Sequence, residues 1–145
     1  MQHGNDVWIV ENSGVCSKLL DYEPGAPIIS TNGQFKLAAL LLIAEGCPLH
    51  YASDFDPEGL GMAQRLLDRY PEHVQLWRMG LEDYSKTSPL KELSNEQVEK
   101  LKSTRDSELL EVAEDMRRLR KAGYQEALVE LMVVDLREKH VKLKS

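Results

Sequence analysis

The sequence predicts an α/β fold: a small parallel sheet of about four strands flanked by helices, followed by a helical C-terminal extension. Three observations predict it. Short apolar, β-rich runs alternate with helix-patterned segments through the first half of the chain. The segments joining those runs are long enough for helical crossovers, which parallel strands require. After Gly80 the alternation gives way to charged, helix-patterned sequence.

Val7-Trp8-Ile9-Val10 is a continuous apolar run, as expected of a strand buried on both faces. The polar turn Glu11-Asn12-Ser13-Gly14 ends it and opens a short helix to about Tyr22. Glu23-Pro24-Gly25 breaks the chain, Pro27-Ile28-Ile29-Ser30 forms a second strand, and Thr31-Asn32-Gly33 is the loop after it. Gln34 to Glu45 is helical and apolar through Leu37, Leu40, Leu41, Ile43 and Ala44, with Gly46 as its C-cap. Leu49 to Ser53 is the third strand. Pro57 suits the first turn of the next helix, which runs to about Tyr70 and turns Leu60, Met62, Ala63, Leu66 and Leu67 inward. Val74 to Met79 reads as the fourth strand.

Residues 90 to 121 read as charged and helical, with Ser94-Asn95 as N-cap candidates. Their apolar stripe is Leu109, Leu110, Val112, Ala113, Met116 and Leu119. Beyond Gly123 a last helix runs from Gln125 to about Lys139, and its Leu128, Leu131, Met132, Val134 and Leu136 call for burial. The expected organisation is an α/β core over 6–84 and a helical extension over 85–145 packed on it. Met1 to Asn5 resemble a ragged lead-in, as at the edge of a piece of a longer protein.

A chain of 145 residues with 42% apolar and 29% charged residues suits one soluble domain with a real core. No apolar run approaches the ~20 residues that span a bilayer, and no signal pattern opens the chain, so a cytoplasmic location is expected and no membrane partner. Cys16 and Cys47 read as small buried hydrophobes, and the four histidines form no zinc-type pattern. A net charge of −6 argues against nucleic-acid binding by charge alone, although metal ions or a basic neighbouring domain would supply what the chain lacks.

Asp54-Phe55-Asp56-Pro57-Glu58-Gly59 places three carboxylates within five residues. Ionising one raises the cost of ionising the next, so the cluster calls either for a divalent cation or for full solvation as a turn. In open parallel sheets, ligands bind beyond the carboxyl ends of the strands. Glu11 ends the first strand there, and Asp54 and Asp56 follow the third. If those strands are neighbours, Glu11 and Asp54 start from backbones ~5 Å apart. Carboxylates without imidazole or thiolate favour Mg²⁺ or Mn²⁺. Taken singly, Glu11 also reads as an acid at a helix N-terminus, and Asp54 and Asp56 as turn and capping residues. Gly59 and Gly61 permit close backbone approach. Asn32, Gly33 and Gln34 lie on the same sheet edge, where a helix N-terminus holds phosphate; an ordinary turn explains them equally well. Lys36 and Arg65 are candidate DNA contacts or solvated cations, Trp8 and Trp77 core, and Tyr84 no nucleophile.

These residues carry a resemblance. Glu11, with Asp54-x-Asp56-x-Glu58-Gly59, resembles the Toprim domain of type IA topoisomerases, bacterial-type primases, topoisomerase VI A subunits and several nucleases. The type IA motif DxDxEG and the topoisomerase VI motif DxDPxG both fit. The order Asn32-Gly33-Gln34, an apolar helix, DFDPEG, then Trp77-Arg78-Met79 and Asp83-Tyr84 is similar to the C-terminal Toprim-like domain of a bacterial family related to topoisomerase VI A. That family includes the nuclease subunit of Wadjet-type plasmid-defence systems.

The resemblance implies that Glu11, Asp54 and Asp56 bind Mg²⁺ or Mn²⁺, with Glu58 an auxiliary acid and Glu11 also a general base or acid. It implies a metal-dependent DNA nuclease, weak or inactive as an isolated domain. Its DNA would be gripped by a separate N-terminal domain, and a condensin-like complex would be its partner. Two departures matter: Leu60 stands where type IA enzymes carry a further acid, and no domain supplying a nucleophilic tyrosine is present. Hydrolysis by water is therefore expected. The alternatives are a non-catalytic sheet domain serving as an interaction module, dimerising through helices 109–136, and an Asp-based phosphotransferase or phospho-acceptor.

Overall fold

The computed structural model describes residues 6–22, 28–30 and 48–144, with side chains to 138. Four parallel strands form the main sheet: β1 (Val7–Val10), β2 (Ile28–Ser30), β3 (Leu49–Ala52) and β4 (Val74–Leu76), in the order β2-β1-β3-β4. The register sets Ile9 against Ile29 on one side and Tyr51 on the other, and Tyr51 against Leu76. β1 and β3 are buried at every residue, whereas β2, on the edge, is half-buried, which is why β1 and β3 read as continuous rather than alternating runs.

Helix α1 (Ser13–Asp21) follows β1 and is capped by Asn12, whose Oδ1 accepts from the N–H groups of Gly14 and Val15. Helix α2 (Pro57–Arg69) follows β3 and buries Leu60, Ala63 and Leu66. Pro57 at its first turn lacks only an N–H that would go unpaired there. The α/β architecture with C-terminal helices is as the alternation of strands and helices predicts. The expected helix Gln34–Glu45 with Gly46, the break at Glu23-Pro24-Gly25, Lys36, Cys47 and the candidate phosphate loop Asn32-Gly33-Gln34 all lie outside the described residues.

The structure corrects several expectations. The third and fourth strands end at Ala52 and Leu76, short of Ser53 and Met79. Arg78 adopts φ 53°, which no strand continues through. Its guanidinium forks onto Asp135, to which Trp77 Nε1 also donates at 2.9 Å. The span 90–121 is not one helical stretch. A short helix α3 (Leu81–Lys86) precedes it, and strand β5 (Lys91–Glu92) opens it. Helix α4 (Asn95–Lys100), a 3₁₀ turn at Leu101–Ser103, helix α5 (Ser107–Leu119) and strand β6 (Lys121–Ala122) follow in turn. β5 and β6 pair antiparallel.

The last helix is likewise two pieces, a 3₁₀ turn at Gln125–Leu128 and α6 (Val129–Lys144). Leu110, Leu119 and Val134 are exposed, off the buried stripes of α5 and α6. Buried residues from Val7 to Leu136 nonetheless form one hydrophobic cluster, so the C-terminal helices share the core of the sheet. Tyr84 is structural: its hydroxyl donates to the Lys121 carbonyl at 2.6 Å and its ring packs 5.5 Å from Phe55. No helix among the described residues is long and apolar enough to cross a membrane.

Candidate functional site

The strand order fixes where a ligand would sit. β1 lies between β2 and β3, so the chain leaves β1 to one side and returns on the other. Such a reversal opens a crevice beyond the carboxyl ends of β1 and β3. Glu11 follows β1 there, its N–H donating to the Ala52 carbonyl at 3.1 Å, and Asp54 follows β3. The two strands are indeed neighbours.

The acidic loop is held from three directions. Phe55 turns fully into the core, and its backbone exchanges two hydrogen bonds with Gly123, at 2.9 and 3.0 Å. Asp54 Oδ1 accepts from the Gln125 N–H at 2.7 Å. Asp56 is the N-cap of α2, its Oδ1 accepting from the Gly59 N–H at 2.6 Å. Gly59 is required at this position. A Cβ there would lie 2.6 Å from Ser53 Oγ and closer still to the Asp54 carbonyl oxygen. Gly61 is not: a Cβ there would meet only Arg65 Nη1, at an ordinary 3.6 Å. Of these two glycines, only Gly59 makes the close approach.

Electrostatics tie the predicted acids together. Burial pushes Glu11 up to about 7, and Asp56, Asp54 and Glu58 add to the rise. Burial likewise raises Asp56 to about 6, against the Gly59 N–H, with Asp54 and Glu58 adding. Asp54 is raised by burial and restrained by the Gln125 N–H. Glu58 is exposed and pairs with Lys100 at 3.3 Å. So Glu11, Asp54 and Asp56 share one crevice and Glu58 stands at its rim. Hard oxygen donors that repel one another suit a divalent cation in their chemistry. In their geometry, no group of three or more His, Cys, Asp or Glu side chains among the described residues is arranged to hold a metal. Asp54 and Asp56 each have one oxygen taken by a backbone N–H.

Other residues at the site carried no sequence signal. Glu126 Oε1 accepts from Asn12 Nδ2 at 3.0 Å across 114 positions, and its charge adds to the rise of Asp54. Lys91, on β5 rather than on a helix face, opposes the rise of Asp56. Tyr51 is buried with its hydroxyl unpartnered among the described residues, in the field of Glu11, Asp56 and Arg65. Only Asn12, beside Glu11 in the capping turn, has a local pattern that could have marked it.

The raised acids carry a sign for stability. Glu11 titrates at about 7 in the folded chain and near 4.5 in the unfolded chain. The folded state therefore binds more protons in that window, and the stability they confer is present below the lower value and lost as pH rises through the upper one. Thermal melts in chelator should show Glu11→Gln gaining on the wild type as pH climbs from about 5 to 8. A gap constant with pH would contradict the raised Glu11.

The family described as "Protein of unknown function C-terminus (DUF2399)" matches residues 1–136. No curated protein matches the chain. The chain belongs to that family.

Proposed function

We propose that this member of the family is a Toprim-type domain that hydrolyses DNA phosphodiester bonds with Mg²⁺ or Mn²⁺. The observation that carries the reading is the meeting of Glu11 with Asp54 and Asp56 at the topological switch point, where burial and mutual repulsion hold Glu11 near 7. Glu11, Asp54 and Asp56 would hold the cation. When bound, it supplies neutralising charge and Lewis acidity toward phosphoryl oxygens. Glu11 holds a proton more tightly than a free carboxyl in the metal-free chain, and ligating the cation would require it ionised, so cation binding should release that proton and tighten as pH rises through about 7. Water is the nucleophile, because Tyr84 is buried on a structural hydrogen bond. The reading also carries the rest of the resemblance: a separate DNA-gripping domain, a condensin-like partner and a place in plasmid defence in the cytoplasm.

A scaffold reading has its own support, since two of the carboxylates serve the backbone and no three-ligand group is closed among the described residues. Calorimetric titration with Mg²⁺ and Mn²⁺ separates the two. The nuclease reading expects binding that Glu11→Gln weakens at least about tenfold. Heat of dilution alone would leave the scaffold.

A further inference from the structure

Beside the acidic crevice runs a groove of about 630 Å³, between the face of α2 that carries Pro57, Glu58, Gly61 and Arg65 and the segment Glu99–Ser103 opposite. We propose that this groove holds the phosphodiester backbone of a nucleic-acid strand and delivers it to the acids. The proposal rests on the phosphodiester reading of the adjoining crevice and adds where the strand lies.

Three cations line the groove: Arg65, Lys100 and Lys102. Arg65 makes no hydrogen bond or ion pair with another described residue. Gly61, one turn before it on α2, leaves the guanidinium room to lie over bare backbone, with Nη1 3.6 Å from where a Cβ would be. A planar guanidinium whose N–H groups are unpaired among the described residues is well matched to phosphate oxygens. Among the described residues Lys100 and Lys102 are held only by Glu58 and Glu99, at 3.3 and 2.8 Å, and every member of those pairs is more than half exposed. Exposed pairs of this kind are weak and readily screened, so a polyanion can exchange for either carboxylate.

The position matters as much as the charge. Glu58 belongs to both features: it lines the groove with Pro57 and stands two residues after Asp56 at the start of α2. Exchange of Lys100 from Glu58 to a phosphate would therefore occur at the mouth of the crevice. A chain of net charge −6 repels a polyanion from most directions, and an acidic crevice does so most strongly. A local row of cations beside the crevice answers that repulsion. A second cleft, lined by Lys18, Asp21, Glu126 and Glu130 among others, carries more acid than base and offers no such track.

The test is a titration of the chain at low salt, in chelator, with a fluorescent DNA duplex and separately with a single strand. Amide resonances of Gly61, Arg65, Lys100, Lys102 and Ser103 should shift with one or both ligands. The combined Arg65→Gln, Lys100→Gln and Lys102→Gln variant should bind at least about tenfold more weakly. Its salt slope should fall by about 0.9 for each phosphate no longer neutralised on a duplex, or about 0.7 on a single strand. All three side chains are exposed, so the variant should melt as the wild type does. Shifts confined elsewhere, no binding of either nucleic acid, or an unchanged affinity in the variant would overturn the proposal. Because no metal is present in the titration, failure here leaves the Mg²⁺ calorimetry standing, and failure there leaves this result standing.

Discussion

Gly59→Ala will lower the melting temperature by up to about 8 °C and displace the acidic loop, whereas Gly61→Ala, two residues along the same helix, will raise it by about 2–4 °C. Both changes exchange glycine for the best helix former, which by propensity alone favours alanine by about 1 kcal/mol. Packing reverses the sign at Gly59. The added methyl would press on the Asp54 carbonyl oxygen, which is backbone and cannot rotate away, and on Ser53 Oγ at 2.6 Å. Ser53 is fully buried, and its hydroxyl already donates to the Asp54 carbonyl at 3.0 Å. Relief needs the loop to withdraw from α2 by on the order of 1 Å, at a cost of about 1–3 kcal/mol. That withdrawal also strains the Gly59 N–H bond to Asp56 Oδ1 and the Asp54 bond to Gln125.

At Gly61 the methyl meets only the mobile end of Arg65, so the propensity gain survives. The measurement is a pair of thermal melts, with hydrogen exchange at the Gly59 and Gln125 amides as the local reading. Equal and positive shifts for both variants would show that the loop does not abut the helix as described.

What the sequence made legible follows from which interactions are local. Strands β1 and β3 announce themselves because both faces are buried and every residue is apolar or aromatic, with His50 stacked on Trp8 at 4.7 Å. The convergence of Glu11 with the acidic loop was legible because it follows from strand-end position and a single adjacency, β1 beside β3. The β5–β6 ribbon was not, because each strand is two residues long and takes its shape from pairing with the other rather than from any pattern of its own. The charged sequence around Lys91 and Lys121 reads as helical for the same reason.

Glu126 and Gln125 were illegible for a different reason. They reach the crevice through Gly123, whose backbone bridge to Phe55 leaves no residue signature except the missing side chain. A Cβ there would drive into Thr87. A tertiary bridge made by backbone atoms across such a distance has no sequence period to betray it.

Asp54→Asn should leave the fold intact and remove the chemistry. Alanine is the poorer probe at this position. Asp54 Oδ1 is the acceptor for the Gln125 N–H, so truncation orphans a buried donor at about 1–3 kcal/mol and confounds instability with loss of function. Asparagine keeps an oxygen for the Gln125 N–H, gives up the charge, and turns the other carboxylate oxygen, an acceptor that the Asn12 side chain can use, into an amide donor. The charge is a burden to the metal-free fold, since burial holds the Asp54 carboxyl above its ordinary value. In chelator, Asp54→Asn should therefore melt at or above the wild-type temperature, and Asp54→Ala below it.

Adding Mg²⁺ should invert the order. The wild type gains stability in proportion to binding, while the asparagine variant gains little, its affinity falling by at least about 100-fold with the loss of a negatively charged ligand. Mg²⁺-dependent nicking of supercoiled plasmid, measured with the domain joined to its DNA-gripping partner, should vanish in step. This crossing of two melting curves separates a metal ligand from a turn residue, because a solvated turn would show the same order of stability with and without the ion. Nicking by Asp54→Asn at the wild-type rate, or an equal Mg²⁺ shift in both chains, would remove Asp54 from the metal site and the nuclease reading with it.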